Sequence, residues 1–592
     1  MDLTTDDKLK KVREFMSVQG IAALVAVSSD PHQSEYLPDH WKTRQWLTGF
    51  TGSAGTAVVT MSQALLWTDF RYWIQAKAQI KGSEFQLIKL GEPDEPDVDQ
   101  WLLDHLHPGD RVSMDGKVVS LAMVRKFEKK LEAGSIKLLT DSDLIQDAWA
   151  DRPALPTTPA WDFPLTYAGK SRPDKLADIR KTMAGSGANW HLMTALDDIA
   201  WTFNLRGNDI PSKPVNMAFA LVGPETACLF MDPAKTDKDL AAKLAREGVE
   251  LCPYDEVENA LGALLDGQGI QLDPDRTSFS LFKAVNSKCR IIEKSSPAQD
   301  LKAVKNETEI RHIRETAVKD GVAVTNFLFW LEHEKGPMTE LSTEKRLFQF
   351  RQEQTDFQDV SFSSIMAFGE HSAICHYSAD PESDVPVTDQ EMFLTDSGGN
   401  YLTGTTDITR TLHLGAPSAQ EIQDYTLVLK GHISVATAVF PQGTKGFQID
   451  TLARQFLWKQ GMNFGHGTGH GVGFFLSVHE GPARISPHPV DVKLNPGMLL
   501  TNEPGVYREG EYGIRLENMI LVQNSHETGF GRFLKFENLT LCHFETKLID
   551  KRLLTREEMA WINQYHREVY DRLSPHVKPE VRDWLEKKTR EL

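Results

Sequence analysis

The chain has 592 residues, too many for one hydrophobic core, and at that length about three or four domains are expected. An apolar share of 40% and a charged share of 25% are those of an ordinary folded protein. With 83 acidic against 65 basic residues the net charge is −18, which argues against nucleic acid or an anionic membrane surface as the main partner.

The opening stretch, "MDLTTDDKLKKVREF", is acidic and then amphipathic. It has neither the apolar core of a secretion signal nor the Arg/Ser-rich, acid-poor make-up of a transit peptide. The longest apolar runs, such as "IAALVAV" at 21–27, are far too short to span a bilayer. The five cysteines (Cys228, Cys252, Cys289, Cys375 and Cys542) are scattered, as reduced thiols are. A cytoplasmic protein with no membrane partner is expected.

A first mixed α/β block, residues 1–160, carries the short strands "AALVAVSS", "TAVVT" and "ALLWT" and the helices "VDQWLLDHLH" and "MVRKFEKKLEA". The Pro-rich stretch 151–164, "DRPALPTTPAWDFP", reads as a linker. A second block, 161–302, repeats the order of the first. Both "AGTAVVTMSQALLWTDFRYWIQAKA" (54–78) and "NMAFALVGPETACLFMDPAKTDKDLAAKL" (216–244) run strand, turn, strand, acidic residue, helix. The third block, 303–592, opens near a long amphipathic helix predicted from the spacing of Leu301, Val304, Ile310, Ile313 and Ala317. At the far end, Thr555 and Glu558 form a capping-box pattern that predicts a C-terminal helix.

Within the third block, "FGHGTGHGVGFFLSVHEGP" (464–482) holds His466, His470 and His479 among six glycines, five of them alternating from 465 to 473. Two histidines four apart suggest a zinc-protease helix. No Glu follows the first, and glycine at every second position makes a helix costly. An extended backbone is predicted, with residues 466, 468 and 470 on one side. The missing side chains opposite would let another group approach.

Acids stand where burial is costly. An apolar strand ends at Asp396, and a Thr-rich strand beyond a glycine-rich turn carries Asp407; a turn at Asn400–Tyr401 would set the two nearly opposite, where like charges repel. Glu503 ends another apolar strand and is held extended by Pro504, while Glu517 is read as embedded in the next strand beside Leu516 and Met519–Leu521. Four carboxylates with one histidine make a ligand set for two divalent ions, whose charges they balance. Oxygen-rich ligation with one imidazole suits Mn²⁺ or another borderline dication.

These residues resemble a known family. The chain from about 300 to 550 resembles the pita-bread metallopeptidase fold, and the whole resembles the three-domain, cytosolic form of aminopeptidase P. The resemblance rests on "GFTGSAGTAVV", "LWTDFRYWIQA", "DDIAWTFNLRG", "HYS", "LTDSGGNYLTGTTDITRT", "GHGTGHGVGFFLSVHEGP", "TNEPGVY" and "YGIRLEN". It implies an α/β (α+β) chain: two creatinase-like N-terminal domains followed by a pita-bread catalytic domain. It also implies a homodimer that hydrolyses the N-terminal Xaa-Pro bond of peptides through a metal-bridged hydroxide. By the same resemblance Asp396 holds one metal ion, Asp407 and Glu517 bridge both, and His470 and Glu503 hold the other. His466 lines the pocket for the substrate's second residue, His479 meets the developing oxyanion or departing group, and His376 is a further active-site histidine. Glu503 also moves the proton to the proline nitrogen. Arg515, two residues before Glu517, would share its strand face and support the metal shell. The glycines would let substrate backbone lie close to the ions. Mn²⁺ is the expected metal, with Zn²⁺ or Co²⁺ as alternatives.

Competing readings are a prolidase confined to Xaa-Pro dipeptides, a metal-free pita-bread module that binds peptides or histones, and a creatinase-like amidinohydrolase. Chain length and the N-terminal duplication oppose the first. The intact five-residue ligand set opposes the other two.

Overall fold

The structure, a computed structural model, describes residues 3–592 and divides into two compact units. One comprises residues up to 164 with 170–299, the other 165–169 with 300–592.

The first unit holds two six-stranded sheets. The strands of one are Ala23–Val27, Thr56–Thr60, Ala64–Thr68, Phe85–Lys89, Arg111–Met114 and Lys137–Leu139. Those of the other are Trp190–Met193, Phe219–Val222, Ala227–Phe230, Val249–Cys252, Gly269–Leu272 and Arg290–Glu293. Counted along the chain, both sheets have the spatial order 4-3-2-1-5-6. In both, strands 1, 2 and 3 are antiparallel to one another in turn and the remaining pairings are parallel. Shared order and shared direction are a stronger sign of duplication than similar strings, so the repeat read from sequence is present in the fold. The Pro-rich stretch is not a free tether. Ala160 N–H bonds Lys235 O (2.8 Å), Phe163 N–H bonds Asn204 O (2.7 Å), and the Thr158 hydroxyl bonds the buried Asp209 (2.6 Å). A linker reading from composition missed that these prolines leave enough N–H groups to dock the segment along the second domain.

In the second unit the single helix predicted across Leu301–Ala317 is two, Pro297–Ala303 and Glu307–His333. Asn306 stops the first from running on. Its side chain accepts from Glu309 N (3.0 Å), and Glu309 returns a bond to Asn306 N (2.9 Å), a reciprocal cap that starts a new helix. Val304, counted as helical, lies in the break and bridges to Met498. The unit then runs helix, helix, strands, twice over. Helices Glu307–His333 and Glu340–Gln352 precede the antiparallel strands Ile365–Phe368, Met392–Ser397 and Ile408–His413. Helices Ala419–Ala436 and Gly446–Trp458 precede five strands of a six-stranded sheet, whose remaining edge strand, Val439–Pro441, lies between them. Its spatial order is Val439–Pro441, Gly531–Asn538, Asn518–Thr528, Leu499–Asn502, Gly469–Gly471, Glu480–Ile485. One apolar cluster, with Phe327, Leu347, Val428, Ile449, Leu500 and Ile520 among its members, packs both helix pairs on their sheets. The C-terminal helix Arg556–Leu573 begins at the Thr555 capping box as predicted and buries Ile562, Tyr565, Val569 and Leu573 at helical spacing.

A buried ion pair ties the first helix pair to the strands that lead to the acids. Arg351 Nε donates to Asp320 Oδ1 (2.8 Å), and the Tyr401 hydroxyl donates to the same oxygen (2.9 Å). Arg351 is 0% exposed, so Asp320 has no water to replace it. Arg351→Met should therefore destabilise this unit by about 3–5 kcal/mol, the usual cost of leaving one partner of a buried pair alone. A denaturation midpoint within error of the unaltered protein would contradict this.

Candidate active site

Asp396 lies in strand Met392–Ser397 directly across from Thr409, not from Asp407. The reversal comes at Leu402–Thr403, between the small strands Gly399–Tyr401 and Gly404–Thr405, rather than at Asn400–Tyr401. Two short paired steps beyond the main strands lengthen the hairpin and displace Asp407 into the bend before Ile408. Both carboxylates are buried and raise each other's electrostatic cost.

The second sheet supplies the histidine and the first glutamate. Of the histidine segment, Gly469–Gly471 is strand and its last three residues open the strand Glu480–Ile485. His470 N–H bonds Thr501 Oγ1 (3.1 Å), and Glu503 N–H bonds Thr468 O (2.8 Å), so adjacent chain segments carry His470 and Glu503 side by side. Glycine is required at 469 because a Cβ there would stand 2.0 Å from Thr501 O. The same applies at 471, where Glu480 O would be 2.2 Å away. These two glycines admit the protein's own neighbouring strands, not substrate backbone as expected. Residues 466, 468 and 470 do not share one side either. Residues 465–468 bend, and the Thr468 hydroxyl turns to Asp450 (2.7 Å), a buried acceptor on helix Gly446–Trp458.

His470 Nδ1 is 2.9 Å from Gly471 O, so it is the N–H donor there. That leaves Nε2 to face Asp407 (3.4 Å) and Glu503 (3.6 Å). The His479 ring stands 4.3 Å from that of His470, edge to face. His466 lies with Nδ1 3.8 Å from Glu503 and Nε2 2.8 Å from the Tyr507 hydroxyl.

Glu517 is not inside a strand. The chain leaves strand Tyr512–Arg515, crosses from the two-stranded ribbon to the six-stranded sheet at Leu516–Glu517, and resumes at Asn518. An apolar flank alone cannot distinguish a strand interior from a crossing. Arg515 and Glu517 therefore do not share a strand face, yet both meet Thr409. Its hydroxyl donates to Glu517 Oε2 (2.7 Å) and accepts from Arg515 Nε (3.3 Å). Arg515 also pairs with Asp396 Oδ2 (2.5 Å), donates to the Tyr507 hydroxyl (2.7 Å), and reaches Cys375 O (3.4 Å), next to His376. His376 sits, half-buried, on the turn that follows.

Sequence reasoning missed Thr409, Tyr507 and Arg410. Thr409 had a signal, its place two residues beyond Asp407 on a strand certain to pair with Asp396. Tyr507 had none. Arg410 is buried and donates to the carbonyls of Thr409 (2.9 Å), Glu517 (2.7 Å), Cys542 (2.7 Å) and His543 (3.1 Å). It fixes the crossing at Glu517 from behind.

Electrostatically the site is overloaded with negative charge. Burial pushes Glu517 well above the usual carboxylate range, and Asp407, Glu503 and Asp396 push it further. Burial also raises Asp396 against the pull of Arg515, and raises Glu503 to about 7 against the pull of His470 and Arg515. Burial opposes a charge on His470, but Asp407 and Glu503 outweigh it and lift the imidazole to about 9. Asp396 Oδ1 is buried with no hydrogen-bond partner. Donor atoms of Asp407, His470 and Glu517 all lie within 4.8 Å of one another. Four carboxylates, a single guanidinium among them, and an open imidazole nitrogen fit a pair of divalent cations.

The raised Glu503 and His470 make the folded chain without metal hold more protons than the unfolded one. For Glu503 the penalty develops as pH climbs from 4.5 to about 7. For His470 the stabilisation present below 6.5 is lost as pH climbs to about 9. The Tm of chelator-treated protein should therefore fall between about pH 5 and pH 9, while the gain in Tm on adding Mn²⁺ grows, since binding displaces those protons. A metal-induced gain that does not vary across this range would rule the linkage out.

Residues 311–524 match metallopeptidase family M24 and 532–592 match the C-terminal region of peptidase M24. Residues 8–146 and 151–309 each match a creatinase/prolidase N-terminal domain. A probable Xaa-Pro aminopeptidase P of Sordaria macrospora is 38% identical, with 100% of both chains covered. Aminopeptidase P2 of Arabidopsis thaliana is 36% identical, covering 100% of this chain and 89% of that one. The crystal structure of X-prolyl aminopeptidase from Caenorhabditis elegans, described as a cytosolic enzyme with a di-nuclear active site, matches at a TM-score of 0.96. It is 33% identical, with 100% of each chain covered. A Bacillus anthracis Xaa-Pro dipeptidase shares the fold alone, at a TM-score of 0.50 and 23% identity over 63% of this chain and 99% of its own. The chain belongs to metallopeptidase family M24 and, within it, to the Xaa-Pro aminopeptidase P proteins.

Proposed function

We propose that this enzyme hydrolyses the bond between the N-terminal residue of a peptide and a proline at the second position. Its three domains would divide near 1–160, 161–302 and 303–592, the last carrying the chemistry. One observation carries the reading. Asp407, Glu503 and Glu517 gather about one imidazole, whose Nε2 faces Asp407 and Glu503, and Asp396 adds a fourth negative charge beside Asp407. Asp396, Asp407, His470, Glu503 and Glu517 would hold two divalent ions, with Mn²⁺ favoured by the oxygen-rich donors and Zn²⁺ or Co²⁺ as alternatives. When bound, such ions supply positive charge and make a water acidic enough to act as a nucleophile at neutral pH.

The chain's own residues do the rest. Glu503 accepts the proton lost by the attacking water and returns it to the proline nitrogen, which leaves poorly without it. His479, beside His470, donates to the carbonyl oxygen as negative charge develops. Asp396 has one oxygen held by Arg515 and the other unpartnered, so it can also receive the substrate's terminal ammonium. His466, tethered through Tyr507, faces the second residue, and His376 is a further histidine of the active site. Proline suits such a pocket because its tertiary amide brings no N–H that must be matched. The protein is read as a cytoplasmic homodimer that engages neither nucleic acid nor membrane. No helix among the described residues is long and apolar enough to cross a bilayer.

Two expected outcomes follow for variants. His470→Ala and Asp407→Asn should lower metal content measured on the purified protein. His479→Ala should keep it while kcat falls by about 10²–10³, the usual cost of a lost oxyanion donor. Equal metal loss in all three would merge the roles separated above. For substrate, Xaa-Pro-Pro and longer Xaa-Pro peptides should release their first residue, and the alanine counterparts should scarcely react. Cleavage confined to the Xaa-Pro dipeptide would make the enzyme a prolidase instead.

A further inference from the structure

Helix Gly446–Trp458 carries Asp450 and Arg454 one turn apart, each only 2% exposed. Arg454 Nε donates to Asp450 Oδ2 (2.6 Å), and one terminal nitrogen donates to Oδ1 (3.1 Å). Stability alone gives no reason to bury such a pair, since desolvation cancels most of its attraction and an apolar pair would serve as well. Its remaining bonds explain the position. Arg454 also donates to Asn463 Oδ1 (3.2 Å), Phe464 O (2.6 Å) and His466 O (2.7 Å). These contacts occupy all five guanidinium N–H groups. Asp450 accepts from Thr468 Oγ1 (2.7 Å), and the guanidinium lies 3.8 Å from the centre of the Phe464 ring.

Every outward contact falls within Asn463–Thr468. That stretch has neither helix nor strand, and it contains Gly465 and Gly467. Left to itself, a glycine-rich bend would sample many conformations. Arg454 and Asp450 grip it at four successive points, one of them the carbonyl of His466. Beyond that carbonyl the His466 ring is held by Tyr507. The bend is shaped from beneath by the helix and its histidine is aimed from the side.

We infer that Asp450 and Arg454 form a positioning pair that sets His466 and, through it, the seat of the substrate's second residue. This rests on the reading of His466 given above. The pair touches no reacting atom, so its loss acts on binding rather than on chemistry. Lysine at 454 keeps the charge against Asp450 but cannot span the two carbonyls and Asn463 at once.

The test uses the metal-loaded enzyme and an Xaa-Pro-Xaa tripeptide. Arg454→Lys should raise KM about tenfold and leave kcat within about threefold, with metal content unchanged, because binding common to ground and transition state is what is lost. Thr468→Val, which removes one contact and little volume, should raise KM by a smaller factor and serves if Arg454→Lys does not fold. In a His466→Ala background, Arg454→Lys should raise KM no further, since the two act as one unit. A merely structural role would instead lower kcat with the folded fraction and leave KM alone. The inference is overturned by an unchanged KM in a folded variant, or by an equal rise in KM with and without His466. Failure of the underlying function reading shows separately, as no cleavage of the tripeptide by the unaltered enzyme; that outcome removes both.

Discussion

Four carboxylates held out of water around one guanidinium are the constraint on which the catalytic unit depends. No apolar packing can offset that repulsion where it arises, so the fold must hold the groups together by force of its scaffold. It does so with elements that cannot yield independently. Asp396 and Asp407 come from a hairpin anchored by the buried Asp320–Arg351–Tyr401 cluster. Glu503 and His470 come from neighbouring segments of the other sheet, and Glu517 from a crossing pinned by Arg410. Arg410 itself meets carbonyls, an amide oxygen and a hydroxyl, and lies over the Phe544 ring, so its charge is spread over neutral dipoles.

The division of labour between the two halves follows from their likeness. Each half presents two helices and then strands, and each ends strands at the common site. The first half contributes Asp396 and Asp407 to the charged cluster, and the second His470, Glu503 and Glu517. A site built at the meeting of two sheets is stiff because the segments that carry these groups are bonded to one sheet or the other.

What could be read in advance was the chemistry carried by side-chain type. Acids beside Leu, Ile and Val, and histidines among glycines, announce a charged cluster that needs cations, and the motif strings pointed to the family. The N-terminal duplication was legible because strand, turn, strand, helix leaves a period-two trace twice. Geometry was less legible. The Asp396–Asp407 turn was misplaced because glycine and asparagine mark a reversal without saying how many residues pair before it. Glu517 was set inside a strand because a sheet crossing leaves no composition signal. The long helix was joined across Asn306 because periodicity outran the cap. Tyr507 and Arg454 act through contacts with irregular backbone and with side chains of other elements, and no single-sequence pattern reports such partners.

Gly469 and Gly471 have a consequence beyond packing. Where a Cβ would stand 2.0–2.2 Å from a neighbouring carbonyl, the distance between strands is fixed by backbone alone. The separation between His470 and Glu503 is thus inherited from sheet register, not from the choice of side chains. Exchanging one donor for another of different length or softness would alter which ion the site prefers while the strands stay put. The metal preference of this site is therefore a property of side-chain tips, set within a frame that the two glycines hold.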